Sequence, residues 1–317
     1  MSGARSNAGP RGRGSVLAEV EALYEDVHRH PELSMQEVRT AALAVQHLGA
    51  AGFDVRAVSF DGPLDQLSRT EITQPALMAA SLAAYRAVTA KSSLRADVVV
   101  GHSVGEYAAL AAAGAADLDQ LFELVNERGR ISAAAGAGGG MAAVLKLDDD
   151  QVERLCAQRG DVWPANYNCP GQVVVSGRDE GLDAMAGAVS DAGGKLIRLK
   201  VAGAFHCPLM AEAAARFAPA VDAVGFGELS TAFMSTVTNG LETADRIPAL
   251  LVEQLTAPVR FTQAVHALIA DGVGTFVELG PGGVLTGLVK RIDPSVRALS
   301  ISTPAELSAA QEVTAGA

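Results

Sequence analysis

The pentapeptide Gly-His-Ser-Val-Gly at residues 101–105 places a nucleophile in the middle of a tight strand-to-helix turn. The apolar β-type run 96–100 precedes it, and the alanine-rich helical run 106–110 follows it. Glycines two positions to either side of the central residue remove Cβ atoms that would clash at such a corner. Ser103 would be exposed at a helix N-terminus, where free N–H groups and the helix dipole favour negative charge. The pattern also arises by chance in a Gly- and Ser-rich chain, and the strand-helix context is what favours a nucleophile.

A serine hydroxyl needs a base to take its proton, and the chain has six histidines. His206 is the best candidate because it follows the strand-like run 195–201 and precedes a proline, at the end of an element where catalytic residues collect. His102 lies next to the serine on the other side of the turn, a position that favours support of the corner over proton transfer. The remaining four lie in helical segments and are interpreted as solvent-facing or capping residues: His28, His30, His47 and His266.

Several further motifs resemble those of malonyl-CoA:acyl carrier protein transacylases and of the related acyltransferase domains of polyketide synthases. They occur in the family's order from about residue 61 to about residue 302. The motifs are TQPAL at 73–77, GHSVGE at 101–106, Arg-Gly at 128–129, NYNCPGQ at 166–172, GAFH at 203–206 and ELGPG at 278–282. The resemblance implies that Ser103 carries the acyl group and that His206 acts as general base and then as general acid. It also implies that a main-chain carbonyl near Ala257 orients the histidine.

Arg128 is the candidate for recognition of a substrate carboxylate. A planar guanidinium can bind a malonyl carboxylate through two parallel hydrogen bonds. Taken alone, an arginine late in the amphipathic helix 120–127 would be a solvated partner of the helix dipole, but the matching Arg-Gly pair favours carboxylate binding. In the Ala-Phe-His form of the motif, the ring of Phe205 would fill the space that an α-methyl group needs; the alternative is that Phe205 belongs to the core. The resemblance also predicts a substrate-binding role for His102, Asn168 and Gln172.

The first 60 residues depart from the transacylase pattern. Residues 1–15 are rich in Gly, Arg and Ser and are predicted to form a disordered tail. Residues 16–60 are similar to the opening of aminoacylase-type zinc amidohydrolases and are interpreted as a helical graft. The metal ligands of that second family have no counterpart here, and we predict neither a metal nor a cofactor.

This replacement bears on the oxyanion hole. The resemblance implies a first strand and a Gly-Gln-Gly turn in this region, whose glutamine supplies one oxyanion N–H, but the chain contains no Gly-Gln-Gly. The Val104 N–H, at the helix start, is then the one predicted donor. The run 53–60 is the only upstream stretch β-like enough for the strand position. We therefore predict slow or impaired acyl transfer, because losing one such donor costs about 10² to 10³ in rate.

The order of predicted elements indicates an α/β fold. We predict an α/β-hydrolase-like large domain with a parallel sheet, formed by residues 61–136 and 203–302, and an inserted ferredoxin-like small domain at 137–202. The small domain should contain strand 141–147, helix 148–159, strands 162–166 and 172–176, helix 180–192 and strand 195–201. The glycine-rich stretch 136–140 is predicted to be a flexible linker and 303–317 a C-terminal tail. The active site would lie in the cleft between the two domains.

Composition limits the classes of partner. The net charge of −11 argues against nucleic-acid binding as a main task. No apolar run approaches the roughly 20 residues of a membrane helix, and the start lacks the apolar core of a signal peptide. Three cysteines without metal or disulfide spacing favour a reducing cytoplasm, and Cys207 beside His206 is interpreted as structural. Coenzyme A and an acidic carrier protein would both need a positive patch, for which the candidates are Lys290, Arg291 and Arg297.

Three functions follow from these residues. The first is transfer of a malonyl group from malonyl-CoA to Ser103 and then to the phosphopantetheine thiol of an acyl carrier protein, in fatty acid or polyketide biosynthesis. The second is acyl-thioester hydrolysis, which needs the same dyad but no Arg128, so that the arginine favours transfer. The third is an impaired relative that binds the carrier protein, which the missing Gly-Gln-Gly supports.

Overall fold

The structure is a computed structural model that describes residues 68–135, 138–201 and 203–315. The predictions for residues 1–60 lie outside these ranges, as do residues 136, 137 and 202 of the predicted linker and small domain. The helices are α1 (Thr70–Lys91), α2 (Gly105–Ala112), α3 (Leu118–Ala135), α4 (Asp149–Arg159), α5 (Asp179–Asp191), α6 (Ala211–Asp222), α7 (Ile247–Glu253), α8 (Phe261–Ala270), α9 (Val284–Ile292) and α10 (Leu307–Ala315). The strands are β1 (Val98–Val100), β2 (Gly139–Leu145), β3 (Val162–Cys169), β4 (Gln172–Arg178), β5 (Lys195–Arg198), β6 (Ala232–Met234), β7 (Leu241–Glu242), β8 (Thr275–Leu279) and β9 (Arg297–Ile301).

In the described residues, the strands form three sheets in a mixed α/β fold. Strands β2 to β5 form a four-stranded sheet in the order β3-β4-β2-β5, with antiparallel pairing throughout. Strand β1 pairs in parallel with β6, which pairs antiparallel with β7. Strands β8 and β9 form a separate parallel pair. Within the described residues, the single parallel sheet predicted for the large domain is therefore two small sheets, one of which contains an antiparallel pair.

Helices α4 and α5 cover one face of the four-stranded sheet. The side chains of each strand alternate between its two faces, and both faces carry buried apolar residues. Residues such as Ala142 and Val144 pack under α4 and α5 with Val152 and Leu182. The helix α4 begins with a capping box between Asp148 and Gln151, as its acidic start favours. The residues of the other face are Met141, Ala143, Ala165 and Val174, and Phe205 packs against them.

The largest core lies among α1, α2, α3, α6 and α7. It is built mainly from Ala, Leu, Val and Met side chains around the fully buried Tyr107, Phe217 and Phe233. Phe205 also contacts this core, so that its ring lies between the helices and the four-stranded sheet. Val259 belongs to a separate core with α8 and α9 and is joined to β3 through the backbone, because its N–H donates to Ala165 O at 2.8 Å and its carbonyl accepts from the Tyr167 N–H at 2.9 Å.

Several predicted boundaries differ from those of the structure: strand 162–166 continues to Cys169, and strand 195–201 ends at Arg198. Gly139 and Gly140 belong to β2 and not to a linker; a Cβ on Gly139 would lie 2.7 Å from Gly177 O, so the glycine permits close strand approach. The helix predicted at 120–127 continues through Arg128 and Gly129 to Ala135. The predicted C-terminal tail contains α10, whose Ala310 is buried against Val88 and Ile301.

Gly129 permits the crossing of α1 and α3, and we predict that this position cannot accept a side chain without cost. A Cβ there would lie 2.9 Å from the Glu71 Cα, a backbone atom that cannot move without shifting α1. Gly129→Ala should lower the free energy of unfolding by about 1–3 kcal/mol, as overpacking does. The measurement is urea-induced unfolding of the variant and the parent protein.

The control is Gly187→Ala in the middle of α5, where a Cβ would meet no other atom within 4 Å. That change should be neutral or stabilising by up to about 1 kcal/mol, because alanine favours helix. Equal effects of the two substitutions would contradict the role of close helix packing at Gly129.

Candidate active site

The turn between β1 and α2 places Ser103 on a strained corner. Ser103 has a φ of +53°, a left-handed conformation that is uncommon for residues with a side chain. The turn is closed by hydrogen bonds from Gly105 N to His102 O and from Glu106 N to Ser103 O, both of 3.0 Å. A Cβ on Gly101 would lie 2.1 Å from the Glu106 N, so this position requires glycine. A Cβ on Gly105 would meet nothing outside its own helix, and the prediction that both glycines relieve a clash is wrong for this one.

Ser103 and His206 lie within hydrogen-bond distance of each other. The Ser103 Oγ is 2.7 Å from the His206 Nε2, and the His206 Nδ1 is 2.9 Å from the Gln254 carbonyl oxygen. Because a carbonyl can only accept, Nδ1 carries the proton and Nε2 is free to accept the serine proton. His206 is itself held in a left-handed conformation with a φ of +57°.

The carbonyl that orients His206 belongs to Gln254, three residues before the predicted Ala257. Gln254 follows the last residue of α7 and caps the helix. Carbonyls at a helix end have no partner within the helix, which leaves the Gln254 oxygen available to the imidazole. A weaker interaction with the backbone of Ala257 raises the pKa of His206, as the hydrogen bond to Gln254 also does.

The environment keeps the His206 imidazole neutral. Burial lowers its pKa to about 3, and the nearby positive charge of Arg128 acts in the same direction. The hydrogen bond to Gln254 opposes this shift only in part. At neutral pH, the ring is therefore in the form that can accept a proton.

Arg128 is buried beside the nucleophile, with 4% of its surface exposed. Its Nη1 donates to the Gln74 Oε1 at 2.6 Å, and its Nη2 donates to the Ser103 Oγ at 3.2 Å and to the Gln254 Oε1 at 3.0 Å. The guanidinium carbon lies 5.4 Å from the centre of the Tyr107 ring. In the described residues the Nε is buried and has no hydrogen bond of good geometry, although the Tyr107 hydroxyl interacts with the guanidinium. This burial rules out the alternative that Arg128 is a solvated partner of the helix dipole.

The other predicted site residues have hydrogen-bond partners outside the dyad. The His102 Nε2 is 2.9 Å from the Asn168 Oδ1, and burial lowers the pKa of this imidazole. This contact ties the corner to β3. Gln172 instead accepts a hydrogen bond from Arg291 at 2.9 Å and contacts the Cys169 thiol. No hydrogen bond within residues 68–135, 138–201 and 203–315 engages the Val104 N–H beside the nucleophile.

Three buried polar residues of the site have no role in the sequence prediction. They are Gln74 on α1, Glu106 on α2 and Gln254 at the end of α7, with 8%, 1% and 0% of their surfaces exposed. Gln74 and Glu106 fall inside recognised motifs, but Gln254 does not. A second polar residue after the apolar run of α7, following Glu253 at the helix end, is the one signal by which it could have been found.

The sequence predicted neither a metal site nor a membrane helix, and the structure bears on both only in the residues that it describes. In those parts, no cluster of three or more His, Cys, Asp or Glu side chains has the arrangement of a metal site. No helix there has both the length and the apolar character needed to cross a membrane. The three cysteines are free and buried, and burial raises the pKa of the Cys207 thiol.

The depressed pKa of His206 predicts a pH-dependent stability. Since the folded pKa lies below the ordinary value of 6.5, the native state binds fewer protons than the unfolded chain between these values. The stability that the neutral His206 contributes is fully present above pH 6.5. It is lost as the pH falls towards 3, by at most about 1.4 kcal/mol per pH unit. Lowering the pH from 7.5 to 5.0 should therefore cost the parent protein about 2 kcal/mol more than the His206→Asn variant.

Urea unfolding of both proteins at the two pH values measures this difference. His266→Asn, on the exposed side of α8, is the control and should lose as much stability as the parent. The same pH dependence in the parent and in His206→Asn would contradict a buried neutral imidazole.

Comparison with known proteins identifies the family. The model of the acyl transferase domain family matches residues 34–303, a range that extends into the segment interpreted as a graft. The malonyl CoA-acyl carrier protein transacylase of Escherichia coli K12 is 37% identical over 271 residues, which are 83% of this chain and 88% of that protein.

Solved structures agree with the sequence comparison. The malonyl CoA-acyl carrier protein transacylase of Coxiella burnetii superposes with a TM-score of 0.83 at 32% identity, over 86% of this chain and 89% of the other. A malonyl-transacylase in complex with its type II PKS acyl-carrier protein superposes with a TM-score of 0.82 at 34% identity, over 95% and 93%. The chain therefore belongs to the acyl transferase domain family, among the malonyl CoA-acyl carrier protein transacylases.

Proposed function

We propose that this chain transfers a malonyl group from malonyl-CoA to the phosphopantetheine thiol of an acyl carrier protein through an ester on Ser103. The observation that carries the proposal is the position of the Ser103 Oγ. It lies 2.7 Å from a neutral imidazole nitrogen of His206 and 3.2 Å from the buried guanidinium of Arg128. A base and a carboxylate-binding cation thus meet at one nucleophile.

The first half-reaction forms the acyl-enzyme. The His206 Nε2 takes the proton from the Ser103 Oγ while this oxygen attacks the thioester carbonyl. The Val104 N–H stabilises the resulting oxyanion. Collapse of the tetrahedral intermediate breaks the C–S bond, and the imidazolium returns its proton to the thiolate of coenzyme A.

The second half-reaction reverses this sequence with a different thiol. The His206 Nε2 takes the proton of the phosphopantetheine thiol, whose sulfur attacks the ester carbonyl on Ser103. The C–O bond to the serine breaks, and the imidazolium protonates the Ser103 Oγ. The same imidazole serves both steps because the Gln254 carbonyl keeps its tautomer and orientation.

Arg128 would bind the malonyl carboxylate during both steps. Its Nε has a buried N–H without a hydrogen bond of good geometry in the described chain, which is unfavourable unless a ligand provides one. Its Nη2 contacts the Ser103 Oγ, the atom that becomes the ester oxygen. Adjacent Nε and Nη2 groups form the edge of a guanidinium that can bind both oxygens of a carboxylate, with the Nη2 exchanging its 3.2 Å contact to the Ser103 Oγ for a carboxylate oxygen. A hydrolase has no need of this group, and we therefore favour transfer over hydrolysis.

The remaining assignments are proposals of the same kind. The ring of Phe205 packs between two cores beside His206, where it would exclude an α-substituent. His102 and Asn168 would support the corner, and Gln172 would act through Arg291 at the surface. A positive patch for the carrier protein would combine the exposed residues Lys290, Arg291 and Arg297. Reduced activity from the missing Gly-Gln-Gly and location in the cytoplasm stay predictions.

We also propose the finer description of the fold. The order β2-α4-β3-β4-α5-β5, with strand order β3-β4-β2-β5, supports a ferredoxin-like small domain at 137–202. The sharp strand-turn-helix at Ser103 supports an α/β-hydrolase-like large domain formed by 61–136 and 203–302. The proposed active site lies between them, because His206 directly follows the small domain.

The proposed function predicts a single acylation site. Incubation with labelled malonyl-CoA should add one malonyl mass to the protein, and Ser103→Ala should abolish the addition. Intact-mass measurement with and without carrier protein checks both formation and discharge of the intermediate. Label on the Ser103→Ala variant would contradict the assignment.

The role of His206 is tested in the same assay. His206→Ala should slow both half-reactions by about 10² to 10⁴-fold, because one imidazole serves both. A loss confined to one half-reaction would contradict the shared base.

The role of Arg128 predicts a change in acyl-group preference. Arg128→Ala should lose malonyl transfer while acetyl transfer is retained or increases, because the cation contacts only the charged substrate. The ratio of kcat/KM for malonyl-CoA and acetyl-CoA measures this change. Arg130→Ala is the control, since this arginine lies on the same helix with 67% of its side chain exposed. Equal losses for both substrates in Arg128→Ala would indicate a structural role.

A further inference from the structure

The buried carboxyl group of Glu106 is not used by the mechanism above. Glu106 lies in the first turn of α2, and 1% of its surface is exposed. Its Oε1 accepts hydrogen bonds from the Thr236 N–H at 2.7 Å and from the Thr236 hydroxyl at 2.6 Å. Its Oε2 accepts a hydrogen bond from the Gln254 Nε2. Thr236 follows β6, the parallel neighbour of β1, so that both residues lie at the same edge of the sheet.

The donors around Gln254 leave its side-chain amide one orientation. Arg128 can only donate, so the oxygen of the amide must face the guanidinium, which lies 3.0 Å away. The Nε2 then points to the Glu106 carboxylate and to the Ser103 carbonyl, at 3.2 Å from the latter. Flipping the amide would place two donors against each other at Arg128.

Both carboxylate oxygens of Glu106 therefore face groups that donate. The Thr236 N–H and the oriented Gln254 amide cannot accept a proton from the acid, and the Thr236 hydroxyl is the one contact that could. The pKa of Glu106 is raised overall, because burial outweighs the hydrogen bonds from Thr236 and Gln254 and the charge of Arg128, which lower it. The arrangement of donors thus matches an ionised carboxylate in a site where a buried cation needs compensation.

This compensation acts through an intervening amide. Each acceptor that Arg128 contacts in the described chain is neutral, and the nearest link to an anion runs through the Gln254 side chain to Glu106. A carboxylate in direct contact with the guanidinium would compete with the carboxylate of a substrate. Placing the anion one amide away balances the charge and leaves the Arg128 Nε without a competing carboxylate.

We propose that Glu106 is a positioning residue for acyl transfer, which acts on both Arg128 and His206 by holding Gln254 in place. This inference rests on the proposed function. The Gln254 side chain transmits the position and charge of Glu106 to Arg128, and the Gln254 main chain presents the carbonyl that orients His206. Glu106 therefore influences malonyl recognition and the general base without touching the substrate.

The test is the Glu106→Gln variant, which removes the charge and presents an amide donor where Gln254 already donates. A hydrogen bond to a charged group is strong enough to change a rate about tenfold when it is lost. Malonyl kcat/KM should fall at least about tenfold and acetyl kcat/KM by a smaller factor, because Arg128 acts only on malonyl. The control is Glu123→Gln on the exposed side of α3, which should keep both rates.

A double substitution separates positioning from general damage. When Arg128→Ala is already present, Glu106→Gln should lower malonyl and acetyl transfer by the same factor, because only the effect through His206 remains. The proposal would be overturned if Glu106→Gln alone had the rates of the parent. It would also be overturned if that variant lost malonyl and acetyl transfer equally. If Glu106→Gln does not show cooperative unfolding, Thr236→Val is judged by the same criteria, since it removes one hydrogen bond and keeps the charge.

A second measurement keeps this inference distinct from the proposed function. Reaction of Ser103 with an aryl sulfonyl fluoride depends on His206 but on no malonyl group, and Glu106→Gln should slow it about tenfold. If the parent protein takes no label from malonyl-CoA but this slowing is observed, the substrate proposal fails and the positioning role stands. Unchanged serine reactivity in a folded variant would overturn the role of Glu106 at the base.

Discussion

One buried amino acid, Gln254, joins the base, the cation and the buried carboxylate around the nucleophile. Its carbonyl accepts from the His206 Nδ1, its side-chain oxygen accepts from Arg128, and its side-chain nitrogen donates to Glu106 and to the Ser103 carbonyl. Because it is fully buried, none of these contacts can be exchanged for water without cost. The orientation of the base and the position of the cation consequently depend on how α7 ends.

In the described parts of the chain, four non-glycine residues have a positive φ, and two of them are the residues proposed to do the chemistry; the others are Lys146 and Asn239. Both Ser103 and His206 adopt left-handed conformations, which side-chain-bearing residues maintain only when their surroundings enforce them. At Ser103, the enforcement comes from the glycine at position 101 and the start of α2. At His206, it comes from the buried neighbours Ala204 and Cys207 and from the hydrogen bond to Gln254. The cost of the strain is offset by packing elsewhere in the fold.

Charge is arranged in the site so that a cation and a neutral base can coexist. Arg128 lowers the pKa of His206, an effect that would oppose protonation of the ring during the reaction. In our proposal, a bound malonyl carboxylate would neutralise the guanidinium, and this opposition would weaken when substrate is present. Glu106 supplies compensation in its absence, at a distance that does not block the guanidinium. Recognition of the substrate and readiness of the base are thereby coupled through one cation.

The sequence alone determined the features that depend on neighbouring residues. The strand-turn-helix at Ser103, the capped start of α4 and the order of elements in the four-stranded sheet all follow from short-range sterics, hydrogen bonds and hydrophobic alternation. Only the tertiary structure decided that the Gln254 carbonyl accepts from the His206 Nδ1, that Arg128 is buried within a continuing helix, and that Glu106 meets Thr236. These contacts join residues between 48 and 130 positions apart, and their partners are set by where helices end and how closely elements pack. A local pattern can place a polar residue at an element's end, but it cannot specify which distant atom will be within hydrogen-bond reach.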